Sequence, residues 1–116
     1  MVIKKTMALD NESYYLTHLF IINGVLPNKL TPMEIVVLAS FMSLTGDITV
    51  DNRLGTTARK IIKDKLELSD GGLSNYIKAF RTKGILITKD DKEMIHPNLI
   101  PNSNIQDYQF RLINKN

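Results

Sequence analysis

The chain contains no cysteine and no tryptophan. Without cysteine it can form no disulfide framework, offers no thiol nucleophile and cannot build a Cys-ligated zinc site. Histidine is almost as scarce. His18 and His96 are the only two, and neither stands in a metal-ligand spacing such as His-Glu-x-x-His. Each is read as a surface or packing residue. No Gly-Lys-Ser/Thr loop is present to cradle a phosphate, and no Ser or Thr has a base in a recognisable triad order. Asp47, Asp51 and Asn52 faintly suggest a calcium loop, but the glycine and the closing glutamate are out of register. No hydrophobic run is long enough for a membrane span. Asp10 and Glu12 interrupt the start before a signal-peptide hydrophobic region could form. The expectation is a protein with no enzymatic activity, metal, cofactor or membrane partner, placed in the cytoplasm (that of the host, if phage-encoded).

What is present fits a single folded domain of 116 residues that is 43% hydrophobic, too apolar for a disordered chain. The net charge of +3 is small, but its distribution is uneven. Residues 1–55 are close to balanced, and residues 84–116 carry as many acidic as basic groups. The excess lies in residues 56–83, where Arg59, Lys60, Lys63, Lys65, Lys78, Arg81 and Lys83 face only Asp64, Glu67 and Asp70. A local basic stretch is the electrostatic footprint of a phosphate-backbone partner. It is equally the mark of a solvated, Lys-rich helix surface, and on charge alone the two readings weigh the same.

Val2 to Leu9 alternates weakly, as a short strand or an arm. Tyr15, Leu16, Leu19, Phe20 and Ile22 give residues 12–23 an apolar helical stripe that Gly24 stops, with a strand as the weaker alternative there. Thr31-Pro32-Met33-Glu34 is a capping box with proline in the first turn. The helix it starts, Thr31 to Leu44, is apolar on nearly every face, which predicts a buried central helix. Ile48-Thr49-Val50 can form a short strand. Thr56 or Thr57 is expected to cap a helix from Ala58 to Leu66, with Ile61, Ile62 and Leu66 inward. Ser69 caps a helix to Lys83 whose Leu73, Ile77 and Phe80 form one apolar face. Gly84 ends it. Ile85 to Thr88 and Glu93 to His96 read as a hairpin around a charged turn, Lys89 to Lys92. Pro97 and Pro101 keep the next segment extended and irregular. Tyr108 to Ile113 alternates as one more strand.

Only Glu67-Leu68-Ser69-Asp70 separates the two helices of the basic stretch, the length of a helix-turn-helix turn. From Thr56-Thr57-Ala58-Arg59-Lys60 through Leu68-Ser69, the following helix, Lys83-Gly84-Ile85-Leu86 and the hairpin, the residues resemble a winged helix-turn-helix DNA-binding domain. The resemblance covers about 31–96 and is to small phage, plasmid and bacterial transcription or replication regulators. It implies an α+β, mainly α fold, with a three-helix core and a β-hairpin wing. Residues 1–30 are then an N-terminal arm and helix, and 97–116 a C-terminal extension. It also implies a recognition helix from Ser69 to Lys83 laid in the major groove of double-stranded DNA.

The residue chemistry supports the same placement. Opposite the apolar face stand Ser74, Asn75, Lys78 and Arg81. Asparagine pairs bidentately with adenine, and Lys or Arg reaches guanine or phosphate. Gly71 and Gly72 let the helix N-terminus approach a phosphate, or simply ease the turn. Asp70 departs from the pattern, since it would repel that phosphate; its other role is to complement the helix dipole. The expected DNA contacts are Arg59, Lys60, Ser69, Gly71, Gly72, Ser74, Asn75, Lys78 and Arg81, with Lys89 and Lys92 from the hairpin. The tip is nearly neutral because Asp90 and Asp91 lie between those lysines. Tyr76 is expected to serve core or dimer packing. The modest charge points to a homodimer or a protein partner, with residues 1–23 and 105–113 as the docking elements. The alternative is a module for protein interaction, structural within a phage particle or a polymerase complex, in which Tyr14, Tyr15, Phe20 and Tyr108 form the interface.

Overall fold

The computed structural model describes residues 1–45, 53–101 and 103–116. Among the described residues, four helices are followed by one hairpin: α1 (Asn11–Asn23), α2 (Pro32–Met42), α3 (Thr56–Lys65), α4 (Asp70–Thr82), β1 (Leu86–Lys89) and β2 (Lys92–Ile95). The architecture is α+β and mainly α. Among the described residues no helix is long and apolar enough to cross a membrane. The expected strand at residues 48–50, the stop at Gly46 and the acidic residues Asp47 and Asp51 fall outside the described residues.

The capping box forms in full. The Thr31 hydroxyl accepts from Glu34 N–H, and the Glu34 carboxylate accepts from Thr31 N–H at 2.7 Å. The helix it nucleates is central: Ile35, Val37, Leu38, Ala39, Phe41 and Met42 are all buried. Ser40, buried among them, satisfies its hydroxyl by donating to the Val36 carbonyl one turn back, which avoids an unpaired polar group in the core at a small cost to the helix. α2 ends at Met42, short of Leu44, because Ser43 takes the cap position. α1 begins where Asp10 accepts from Ser13 N–H and lies against α2. In the loop between them, Asn23 holds both backbone groups of buried Leu30.

α3 differs from expectation in two ways. Its N-cap is Gly55, with no side-chain cap, and Thr56 and Thr57 sit inside the first turn. Glycine is an accepted N-cap because its backbone reaches the extended conformation without hindrance. The inward line is Ala58 and Ile62, four residues apart, while Ile61 is 41% exposed. One residue of helix rotation carries Ile61 off the buried stripe.

Two Schellman motifs then set the chain's direction. After α3, Leu68 N–H donates to the Lys63 carbonyl and Glu67 N–H to Asp64, with Glu67 in the left-handed region at φ 54°. After α4, Ile85 N–H donates to the Phe80 carbonyl and Gly84 N–H to Arg81, with Gly84 at φ 74°. The hydrophobic contact that accompanies this cap is Phe80 with Ile85, both buried. The Lys83-Gly84-Ile85 signature is therefore a helix stop, a left-handed residue and an apolar anchor in consecutive positions.

The hairpin pairs Leu86 with Ile95 and Lys89 with Lys92, shifted one residue from the expected strands. Its two-residue turn places Asp90 and Asp91 at φ 52° and 61°. Two consecutive left-handed residues match the right-handed twist of the flanking strands, and aspartate tolerates the conformation.

The C-terminal segment is not a strand. Pro97–Leu99 makes one 3-10 turn that buries Leu99, and residues 103–116 have no regular structure. A strand needs a free sheet edge, and this segment is instead captured by side chains of α1. The Tyr14 hydroxyl donates to the Ser103 carbonyl at 2.9 Å. His18, one turn later, donates from Nε2 to the Leu99 carbonyl at 2.8 Å and accepts the Tyr108 hydroxyl at Nδ1. The N-terminal residues 1–9 form an arm, not a strand.

Burial holds the His18 pKa below its ordinary value, against the opposing bond to Leu99. The folded state therefore binds fewer protons than the unfolded chain, and stability contributed here is complete above an unfolded pKa of about 6.5. It is lost as pH falls below that value. Thermal melts between pH 7.5 and 5 are expected to show a falling midpoint in the native chain and a flatter profile in His18→Gln. An identical pH slope in the two proteins would refute the assignment.

Candidate nucleic-acid interface

α4 turns its apolar face to the core and leaves the other in solvent. Leu73, Ile77 and Phe80 are buried, whereas Gly71, Ser74, Asn75, Lys78 and Arg81 are exposed. Tyr76 is half-buried against the core, in line with its expected packing role. The Ser69 hydroxyl accepts from Gly72 N–H at 3.0 Å, so α4 starts with its cap in place.

The two glycines now separate. A Cβ on Gly72 would stand 3.1 Å from the Ser69 hydroxyl, so this glycine makes room for the cap. A Cβ on Gly71 would meet nothing within 4 Å. No internal contact explains Gly71, which leaves an uncluttered surface at the start of α4.

A shallow groove of about 300 Å³ runs between α3 and α4, lined by Thr56, Arg59, Lys60, Lys63, Asp70, Leu73 and Ser74. It brings the expected residues Arg59, Lys60 and Ser74 together. Asp70 does not face an empty groove: it accepts from the Lys63 ammonium at 2.6 Å. That bond holds the Asp70 carboxyl below the usual range and raises Lys63. The expected conflict between Asp70 and an approaching anion is thus partly offset within the protein.

Most of the basic excess is engaged in the same way. Arg81 makes a bidentate pair with Glu93, Nε to Oε2 at 2.5 Å and Nη2 to Oε1 at 2.9 Å. Arg59 reaches the same carboxylate at 3.5 Å while its Nε donates to the Leu54 carbonyl. Arg81 is the main cause that lowers the Glu93 pKa. Lys65 pairs with Glu12 and Lys83 with Glu34. Among the described residues, Lys60 and Lys78 have no carboxylate within 4.0 Å. Lys89 and Lys92 stand exposed and directly opposite each other beside the acidic turn.

Glu93 is the residue that sequence reasoning missed. The register puts Leu86, Thr88, Glu93 and Ile95 on one face of the hairpin, and Leu86 and Ile95 are buried. Alternation with Ile95 was a signal that Glu93 faces inward, but not that two arginines meet it there.

Of the residues expected at a protein interface, Tyr14 and Tyr15 touch edge to face with ring centroids 5.3 Å apart, and Tyr108 bonds His18 one turn along α1. Tyr14 and Tyr108 are spent on the C-terminal segment, Tyr15 packs on the core, and Phe20 is exposed. No protein-family model, curated protein or solved structure matches this chain.

Proposed function

We propose that this chain is a winged helix-turn-helix protein that binds double-stranded DNA in a sequence-dependent way, with α4 in the major groove and the hairpin as wing. The observation that carries the reading is the exposed face of α4, where Ser74, Asn75 and Lys78 project from a capped helix anchored by Leu73, Ile77 and Phe80. Those side chains include an adenine reader and a phosphate or guanine reader. Gly71 admits a phosphate at the helix N-terminus, where free N–H groups favour anions. The biological setting consistent with this is transcription control or replication initiation in a cytoplasm, with no cofactor.

Selection from a random duplex library followed by binding across a salt series tests the reading. Lys78→Ala and Lys60→Ala are each expected to weaken binding on all sequences and to reduce the log–log salt slope by about one. Asn75→Ala is expected to cost about 1–3 kcal/mol at one base-pair position and to relax preference there. Salt-independent binding, or a library with no enriched duplex, refutes the proposal.

A second reading is favoured by the exposed apolar residues of the termini. Met1, Val2, Ile3 and Met7 in the arm, and Ile105, Phe110, Leu112 and Ile113 in the tail, are all exposed. The arm and residues 106–110 line a common groove. Such a surface suits a second copy or a protein partner. Sedimentation of the purified chain over a concentration series distinguishes a self-associating protein from a monomer.

A further inference from the structure

We propose that Arg59 and Arg81 form a clamp for one backbone phosphate of DNA, and that the Glu93 carboxylate occupies this clamp in the free protein. The inference rests on the DNA-binding reading above and identifies which anion the cluster is built to hold.

Three observations carry it. First, two guanidinium groups converge on a single carboxylate, so the cluster keeps a net positive charge after Glu93 has bound. Second, Arg59 is positioned independently of Glu93, because its Nε is fixed to the Leu54 carbonyl. The Arg59 arm of the clamp therefore keeps its anchor when the carboxylate leaves. Third, the arginine side chains are 36% and 52% exposed. The guanidinium groups are thus open to solvent on one side, and an incoming anion can reach them.

The chemistry of exchange is direct. A carboxylate presents two oxygens to a guanidinium fork, and so do the two non-bridging oxygens of a phosphodiester. Arg81 lies three residues after Lys78, on the exposed side of α4. A duplex seated on α4 brings a phosphate to the same place, and Glu93 then turns to solvent. The bond between Arg81 and Glu93 also joins the hairpin to α4 in the free protein.

The test measures duplex affinity and its salt dependence for the native chain, Glu93→Gln, Arg81→Ala and the double variant, with circular dichroism to confirm folding. Glu93→Gln is expected to bind about fivefold more tightly, with a salt slope steeper by about one. The gain is expected to vanish in the double variant, because the clamp is then absent. An equal gain with and without Arg81 identifies a general field effect and overturns the clamp while leaving DNA binding intact. No gain at all overturns it in the same way. If neither the native chain nor Glu93→Gln binds any duplex, the DNA-binding reading falls and the clamp falls with it. Should Glu93→Gln fail to fold, Arg81→Ala alone decides: a shallower salt slope supports the clamp, and an unchanged slope overturns it.

Discussion

Phe80→Ala is expected to remove about 3–5 kcal/mol of stability, the range for truncating a buried aromatic. Phe80 has no solvent exposure and shares the inner face of α4 with Leu73 and Ile77. It also touches the junction where α4 meets the hairpin, since Ile85 packs into the same core and bonds back to the Phe80 carbonyl. The lost ring leaves a cavity that the helix can close only by shifting, and a shift there moves every outward residue of α4. Against a total stability of about 5–15 kcal/mol, the loss leaves little margin. The midpoint of thermal unfolding should fall by about 10–20 °C. Lys78→Ala, on the outer face of the same helix, should change stability by less than about 0.5 kcal/mol. Urea titrations of the two variants, run beside DNA binding, separate a loss of fold from a loss of contact. A Phe80→Ala protein as stable as the native chain would contradict the packing described here.

Glu34→Ala is expected to cost about 2–4 kcal/mol, because one carboxylate serves two partners. It completes the N-terminal box of α2 by accepting from Thr31 N–H. It also receives the Lys83 ammonium at 2.6 Å, which donates in addition to the Lys29 carbonyl. Glu34 is only 6% exposed, so its removal strands a partly buried ammonium. Lys83→Ala should cost less than Glu34→Ala, because the box survives it. The double variant should cost less than the two singles combined, the difference being their coupling.

The same carboxylate gives the acid limb of stability a defined sign. Burial disfavours the charged form of Glu34, but the Lys83 and Thr31 bonds together outweigh it and leave the pKa below the ordinary value. The folded state then binds fewer protons than the unfolded one. The contribution is complete above an unfolded pKa of about 4.3 and is lost as pH falls through the folded value. Glu93, lowered chiefly by Arg81, acts in the same direction. Denaturant midpoints between pH 6 and 3 should fall less steeply in Glu34→Ala than in the native chain.

Local chemistry was legible wherever one segment contained its own instructions. The box at Thr31 and Glu34, the Ser69 cap and the left-handed stop at Gly84 formed as their residues direct. So did the Leu73, Ile77 and Phe80 face. Legibility failed where the partner lay elsewhere. Ile61 sits beside Ile62 in sequence, yet only Ile62 meets the core. Tyr108 to Ile113 has strand alternation, but alternation supplies no neighbouring edge. The α1 side chains Tyr14 and His18 bind the C-terminal segment instead. Gly71 and Gly72 are indistinguishable as letters and differ only because the Ser69 hydroxyl points at one of them.

By itself, then, the sequence determined the helices, the caps at Thr31 and Ser69, the position of the hairpin to within one residue and the buried stripe of α4, because each depends on side chains within a few residues of one another. It also placed the basic excess in residues 56–83. The tertiary structure decided which of those charges remain available. Lys65 finds Glu12, Lys83 finds Glu34, and Arg59 and Arg81 find Glu93. These pairs span separate elements, and no periodicity within a helix specifies which face of a distant hairpin or helix will meet it. Charge counted along the chain is additive, whereas charge presented to a partner depends on how the elements fold against one another.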